Sequence, residues 1–252
     1  MAVMKAASDA AEWRRDRPRS VVFDCDSTLV GIEGINWLAT DHVDEIAALT
    51  DAAMSGEIPL EQIYGRRLDI VRPALDHVLA LADAYENTLI PDARDVVRAL
   101  HDAGIAVYVI SGGLEPAVQR LASSIGIATE RVRAVAVEFD VRGCYTGYDE
   151  RSPLARSGGK REVVDQWQPP LARPVWLIGD GTTDLEAKPA VDVFIAFTGV
   201  VEHREVRAHA DFVITERSLA PVVALCMGED EPTRSPGREL YRRGRQLLGF
   251  TE

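Results

Sequence analysis

Five short apolar runs, SVVFD, IAVYVIS, VWLIGD, VFIAF and DFVI, recur along the chain, and stretches of helical spacing separate most of them. An uninterrupted apolar run of four or five residues suits a strand covered on both faces. A partly solvated strand would alternate instead. Strand and helix signals in alternation predict an α/β fold built on a parallel sheet. The helical stretches carry clear punctuation. PDARDVVRALHDAG opens on Pro91 and Asp92, places Val96, Val97 and Leu100 on one stripe, and closes at Gly104. LEPAVQRLASSIG repeats the pattern and ends at Gly126. One segment differs. In RAVAVEFDVRGCYTGYD, the alternation of Val135, Val137, Phe139 and Val141 followed by Arg142-Gly143 predicts a β-hairpin.

The stretch between the first two runs is too long for one crossover helix. From about residue 36 to 88 it keeps helical spacing, in DEIAALTDAAMSG, PLEQIYGRRLDIV and PALDHVLALADAYE. This predicts a small helical domain, residues 36–88, inserted after the first strand; an elaborated crossover packed on the sheet is the alternative. The expected organisation is a tail over residues 1–18, an α/β core over 19–35 and 89–227, and a C-terminal extension over 228–252. In that extension GEDEPTRSPG reads as a linker. GRELYRRGRQLLGF reads as an amphipathic helix that docks or mediates association, with disorder as the alternative.

Each run that matters most ends in chemistry. VVFDCDSTLVG stops an apolar strand at Asp24 and Asp26, one residue apart. Open α/β sheets place their sites at the carboxyl ends of strands. Two bare carboxylates about 5 Å apart repel by roughly 3 kcal/mol at an effective dielectric near 20. A proton, a cation or outward rotation of one side chain must offset that. VWLIGDGTTD brings a second acidic pair, Asp180 and Asp184, at another strand end, with Gly179 and Gly181 allowing close backbone passage. Two such clusters favour a hard divalent cation with oxygen ligands, magnesium first. A magnesium ion held by few carboxylates keeps positions for water and a substrate phosphate. VYVISGGLEP supplies a matching cradle: Ser111, Gly112 and Gly113 end a third strand ahead of a helix. SGGKREVVDQW sets Lys160 at a helix start, where its charge opposes the helix dipole and so points to another use. SGGK lacks the spacing of a nucleotide-binding loop.

The formal net charge of -12 argues against nucleic acid as a partner, and no stretch approaches the roughly 18 apolar residues of a membrane span. Three widely spaced Cys, with no apolar leader at the start, point to a reducing, cytoplasmic location. The five His, at 42, 77, 101, 203 and 209, form no ligand spacing. Cys25 between its carboxylates reads as a small filler, and Trp37 and Trp167 as core or interface residues.

DCDST, SGG, Lys160 and GDGTTD, in that order on strand ends, resemble the four motifs of the haloacid dehalogenase superfamily. Longer stretches, DCDSTLVGIEGINWLA, AMSGEIPLEQIYGRRL, RSGGK and IGDGTTDLEA, resemble its members that hydrolyse O-phospho-L-serine. The likeness runs from about Val21 to Leu225. It implies a Rossmann-like core with a helical cap after strand one. It makes Asp24 a nucleophile that becomes phosphorylated, and Asp26 the acid for the leaving serine oxygen and then the base for water. Magnesium would be held by the Asp24 carboxylate, the Asp26 main-chain carbonyl and Asp180, with Asp184 in support. Ser111, Gly112, Gly113 and Lys160 would take the phosphoryl group. Glu33 would meet the substrate ammonium and Arg67 its carboxylate. Thr183 would also contact substrate, and Met54 would form part of an apolar lid. Leu60 stands where relatives often carry Phe, and FTGVVEHREV replaces a common Gly-Asn. Passing the phosphoryl group to another alcohol, such as homoserine, is the alternative activity, and another small phosphoester the alternative substrate. Either a monomer or a homodimer is expected, without an N-terminal regulatory domain.

Overall fold

The computed structural model of the chain describes residues 17–55 and 57–250, and the expected tail lies almost wholly outside them. β1 (Ser20–Phe23) is followed by four helices: α1 (Gly34–Leu38), α2 (Val43–Met54), α3 (Leu60–Val71) and α4 (Leu75–Asn87). Then come α5 (Ala93–Asp102), β2 (Ala106–Leu114), α6 (Glu115–Ser124), β3 (Val132–Val135), β4 (Val137–Phe139) and β5 (Tyr145–Tyr148). The chain continues through α7 (Gly159–Gln166), β6 (Val175–Gly179), α8 (Thr182–Ala187), β7 (Val193–Phe197), α9 (Arg204–His209), β8 (Phe212–Ile214), α10 (Ala220–Met227) and α11 (Gly237–Leu247).

Six strands form one parallel sheet in the order β3-β2-β1-β6-β7-β8. Every residue of β1, β6 and β7 is buried. Successive side chains point to opposite faces, so both faces of these strands are covered, as their unbroken apolar runs require. The chain builds outward from β1 to β2 and β3, then returns to add β6, β7 and β8 on the other side. The order therefore reverses beside β1, where parallel sheets open a crevice at their carboxyl ends. Register fixes what reaches that edge: Phe23 pairs with Val109 on β2 and with Ile178 on β6. Asp24, Ser111 and Asp180 follow those residues by one or two positions.

The predicted hairpin forms, but it starts later than the alternation suggested. Val132–Val135 joins the main sheet in parallel beside β2. Only β4 and β5 pair antiparallel. The alternation is broken by burial: Val132 and Val135 are buried, whereas Val141 is fully exposed in the turn. That turn closes when the Asp140 carboxylate accepts from the Arg142 and Cys144 amides, with Gly143 at φ +80°. Asp92 also differs from its sequence reading. It precedes α5, yet its carboxylate accepts from the Leu219 and Ala220 amides and the Ser218 hydroxyl, fastening the start of α10. GRELYRRGRQLLGF takes the docking alternative. Leu240, Tyr241 and Leu248 are buried, and α11 packs against α10 and α5. Gly244 lets the helices meet closely: a Cβ there would lie 2.3 Å from the Ala220 carbonyl oxygen. Trp167 is buried as expected, whereas Trp37 is 44% exposed. Among the described residues, no helix is long and apolar enough to cross a membrane.

Candidate active site

A cleft of about 640 Å³ opens at the carboxyl edge of the sheet. Asp24, Asp26, Glu33, Arg67, Ser111, Gly112, Gly113, Lys160 and Thr183 all line it. These residues come from six separate stretches of sequence. The side chain of Met54 lies outside the described residues.

Asp24 extends β1, its amide donating to the Ile178 carbonyl at 2.9 Å. The chain then winds tightly around the Cys25 carbonyl, which accepts from the Thr28, Leu29 and Val30 amides. Ser27 sits at φ +53°, an uncommon conformation for a residue other than glycine. Its hydroxyl donates to Glu33, and Asp26 accepts from the Gly34 amide at 3.1 Å. Cys25 is wholly buried, and burial, then Asp26 and Asp24, push its thiol up, so it is a poor thiolate.

Lys160 explains its place at the start of α7. It is buried, and its ammonium lies 2.9 Å from Asp24 and 2.6 Å from Asp184. Burial alone would lower its pKa, but Asp184 and Asp24 raise it, so it stays charged. Asp184 also accepts from the Gly181 amide at 3.1 Å, closing the first turn of α8. Gly179 has a use that backbone passage alone did not suggest. A Cβ there would fall 2.2 Å from Asp184 Cγ, so glycine makes the room for that carboxylate.

Asp24, Asp180 and Asp184 bring carboxylate oxygens within 4.8 Å of one another, all three buried. Burial, with Asp184 next, raises the Asp24 carboxyl well above its ordinary value. Burial and the Asp24 charge do the same to Asp180. Asp26 is raised too, chiefly by burial. Glu33 is pushed up to about 7 by burial and by Asp26. Five carboxyl groups thus crowd two buried cations, Lys160 and Arg67. Asp180 accepts from the Thr28 hydroxyl at 2.7 Å through one oxygen, while its other oxygen is buried with no partner among the described residues. An unpartnered anionic oxygen in a triad of acids is a good donor set for a hard cation.

Glu33 and Arg67 line the same cleft. Arg67 lies on the buried stripe of α3 with Leu60, Ile63, Tyr64 and Leu68. One guanidinium nitrogen donates to the Thr50 hydroxyl at 2.9 Å, and Nε has no partner among the described residues. Ile35, Ala53, Leu60 and Leu154 supply an apolar wall, and Arg156 stands at the exposed rim.

A model of haloacid dehalogenase-like hydrolases matches residues 18–192. The chain belongs to that family. Several curated relatives of this haloacid dehalogenase-like hydrolase are phosphoserine phosphatases. The Bos taurus protein is 34% identical over 200 residues, covering 78% of this chain and 89% of the relative. The chloroplastic protein of Arabidopsis thaliana is 38% identical over 207 residues, covering 80% and 70%. Among solved structures, a phosphoserine phosphohydrolase-like protein from Francisella tularensis aligns with TM-score 0.72 and 25% identity, over 79% of this chain and 95% of its own. A phospho-aspartyl intermediate analogue of a phosphoserine phosphatase shares the fold, with TM-score 0.71 and 24% identity, over 82% and 98%.

Four residues of the site escaped the sequence reading. Thr28 stood inside the DCDST stretch without a role and proves to hold Asp180. Thr50 holds Arg67 and donates to Asn36 at 2.6 Å. Tyr64 donates its hydroxyl to the Gly112 carbonyl at 2.7 Å. Tyr85, wholly buried, sets its hydroxyl where a Cβ on Gly34 would meet it at 2.1 Å. The signal that could have found Tyr64 was a polar group on an otherwise apolar helical stripe.

Proposed function

We propose that this hydrolase is a magnesium-dependent phosphomonoesterase that converts O-phospho-L-serine to L-serine and phosphate through a phosphorylated Asp24. The observation that carries this reading is the content of one cleft: Asp24, Ser111 and Lys160 line it together with the opposite charges of Glu33 and Arg67. That set of charges suits a phosphate ester that also carries an ammonium and a carboxylate. The names of the curated relatives support the same substrate.

Asp24, Asp180 and the Asp26 main-chain carbonyl would hold magnesium, with Asp184 in support, and the ion when bound supplies positive charge to these carboxylates and to the phosphoryl group. Lys160 has three protons. Two lie toward Asp24 and Asp184, and the third is available to a phosphoryl oxygen. Ser111 and the Gly112 amide bind the remaining oxygens, the Gly113 amide being taken up by Ser111 Oγ at 2.9 Å. Asp24 attacks phosphorus. An O–P bond forms on its carboxylate as the bond to the serine oxygen breaks, and Asp26 gives that oxygen its proton. A raised pKa suits Asp26 to this first task. Asp26, now a carboxylate, takes a proton from water as the water attacks phosphorus, which frees Asp24 and releases phosphate. The helical segment 36–88 serves as the cap that brings Arg67 over the reacting group, with Leu60 in its apolar wall. A reducing cytoplasm suits the three free Cys. The working state is a monomer or a homodimer.

Phosphate release from O-phosphoserine, measured with magnesium, with chelator and with added homoserine, tests the reading. Magnesium-dependent release that added alcohol leaves unchanged is expected. Activity unaffected by chelation, or phosphohomoserine as the main product, would overturn it.

A further inference from the structure

We propose that Tyr64 is a positioning residue for phosphoryl transfer, acting through the Gly112–Gly113 peptide on the Ser111 hydroxyl. The inference rests on the phosphatase reading above and adds a residue to it.

β2 runs on to Leu114, but its pairing with β3 slips between Ile110 and Leu114. The Gly112 carbonyl sits in that gap, where the regular ladder does not continue. The carbonyl is half-buried, and leaving it without a partner there is costly. Tyr64, reaching down from α3, donates its hydroxyl to it at 2.7 Å. The next amide belongs to the same peptide unit. Gly113 N–H donates to Ser111 Oγ at 2.9 Å. Ser111 is buried and lines the cleft. With one lone pair of its oxygen held by Gly113, its own proton is left to point into the cleft, where the phosphoryl oxygens bind.

The three groups form a chain: Tyr64 hydroxyl to Gly112 carbonyl, Gly113 amide to Ser111 oxygen, and Ser111 hydroxyl to substrate. Each donor polarises the next, because a peptide whose carbonyl accepts a bond becomes a better amide donor, and a hydroxyl that accepts one becomes a better donor. Geometry at both ends is fixed. The Tyr64 ring is wholly buried, with Tyr148 at 5.2 Å between centroids and the Arg67 guanidinium 5.5 Å over its face. Space at Gly113 is tight, since a Cβ would lie 3.1 Å from Ser111 Oγ and from Val118, and a neighbour would have to give by a few tenths of an ångström. Because α3 also carries Arg67, one helix holds the group for the substrate carboxylate and orders the donor for its phosphate. Correct seating of α3 therefore places both groups together.

Tyr64→Phe removes the hydroxyl and keeps the ring under Arg67. The test is a double-mutant cycle with Ser111→Ala, read as phosphoserine kinetics and as orthophosphate affinity by calorimetry with magnesium present. Tyr64→Phe should lower kcat about tenfold, leave KM within twofold, and weaken orthophosphate several-fold in the wild-type background. In the Ser111→Ala background the same change should cost less than twofold, because the group it acts through is gone. A Tyr64→Phe enzyme with wild-type kcat and orthophosphate affinity, or an equal loss in both backgrounds, would overturn the proposal. Failure of the phosphatase reading looks different: the wild-type chain would not turn over phosphoserine, while the orthophosphate arm would still report on Tyr64.

Discussion

Replacing Gly179 with Ala adds one methyl group where the structure leaves no room for it. The new Cβ would lie 2.2 Å from Asp184 Cγ, 2.4 Å from Oδ2 and 2.6 Å from its Cβ. Carbon atoms in contact prefer about 3.5–4.0 Å, so Asp184 must retreat by more than about 1 Å. It cannot do so and keep its bonds to the Lys160 ammonium at 2.6 Å and the Gly181 amide at 3.1 Å. Separating a buried ion pair costs about 3–5 kcal/mol. Lys160 retains Asp24 at 2.9 Å, which places the expected loss near the lower end, about 3 kcal/mol. For a chain of this size each kcal/mol lowers the melting midpoint by about 2–4 °C, so a fall of about 6–12 °C is expected. Circular-dichroism melts in chelator and in magnesium measure it, and the rise produced by magnesium should shrink as well. Gly147→Ala is the control. Its nearest neighbour would be Glu138 Oε2 at 3.9 Å, so its melt should stay within about 2 °C of wild type. A Gly179→Ala protein that melts with wild type and gains the same stability from magnesium would refute the steric argument.

Other outcomes follow from the same geometry. Arg67→Ala should raise KM for phosphoserine by about 10–100-fold, the worth of a charge-assisted bond, and change KM for phosphoethanolamine, which has no carboxylate, by less than threefold; equal effects would remove Arg67 from carboxylate recognition. Thr28→Val deletes the donor at 2.7 Å from buried Asp180 and should cost about 1–3 kcal/mol of stability while weakening magnesium in a calorimetric titration. An unchanged magnesium affinity would count against Asp180 as a ligand. Glu33 rises from an ordinary 4.5 to about 7, and Asp24, Asp26 and Asp180 are also raised. The folded, metal-free chain thus binds more protons than the unfolded chain between about pH 4.5 and 7, and that stability is lost as pH rises through 7. In chelator the melting midpoint should be lower at pH 8 than at pH 6, with magnesium narrowing the gap; a higher midpoint at pH 8 in chelator would contradict the assigned shifts.

Strand ends were the most legible part of this chain. The run VWLIG, with no charged residue before Asp180, suits a doubly covered strand, and its first acidic residue then emerges at the sheet edge. Asp24, Ser111 and Asp180 could therefore be assigned to one edge before any coordinate was known. Lys160 was legible because a cation at a helix start is locally unfavourable and needs an outside partner. Residues that act across the fold were less so. Thr28, Thr50 and Tyr64 each hold a group distant in sequence, and a hydroxyl carries no pattern that reveals which carbonyl or carboxylate it will meet. The hairpin boundary was misplaced for a related reason. Alternation in RAVAVEF is equally compatible with β3 and β4, and only the pairing of Val132–Val135 with β2 divides them.

Brief mixing of the enzyme with O-phosphoserine and magnesium, an acid quench, borohydride reduction and peptide mapping would show which side chain carries the phosphoryl group. An acyl phosphate on Asp24 is reduced to homoserine at position 24, and Asp24→Asn should show neither the modified peptide nor turnover. Sustained turnover with position 24 unmodified, or with Asp24→Asn still active, would contradict phosphoryl transfer to that carboxylate.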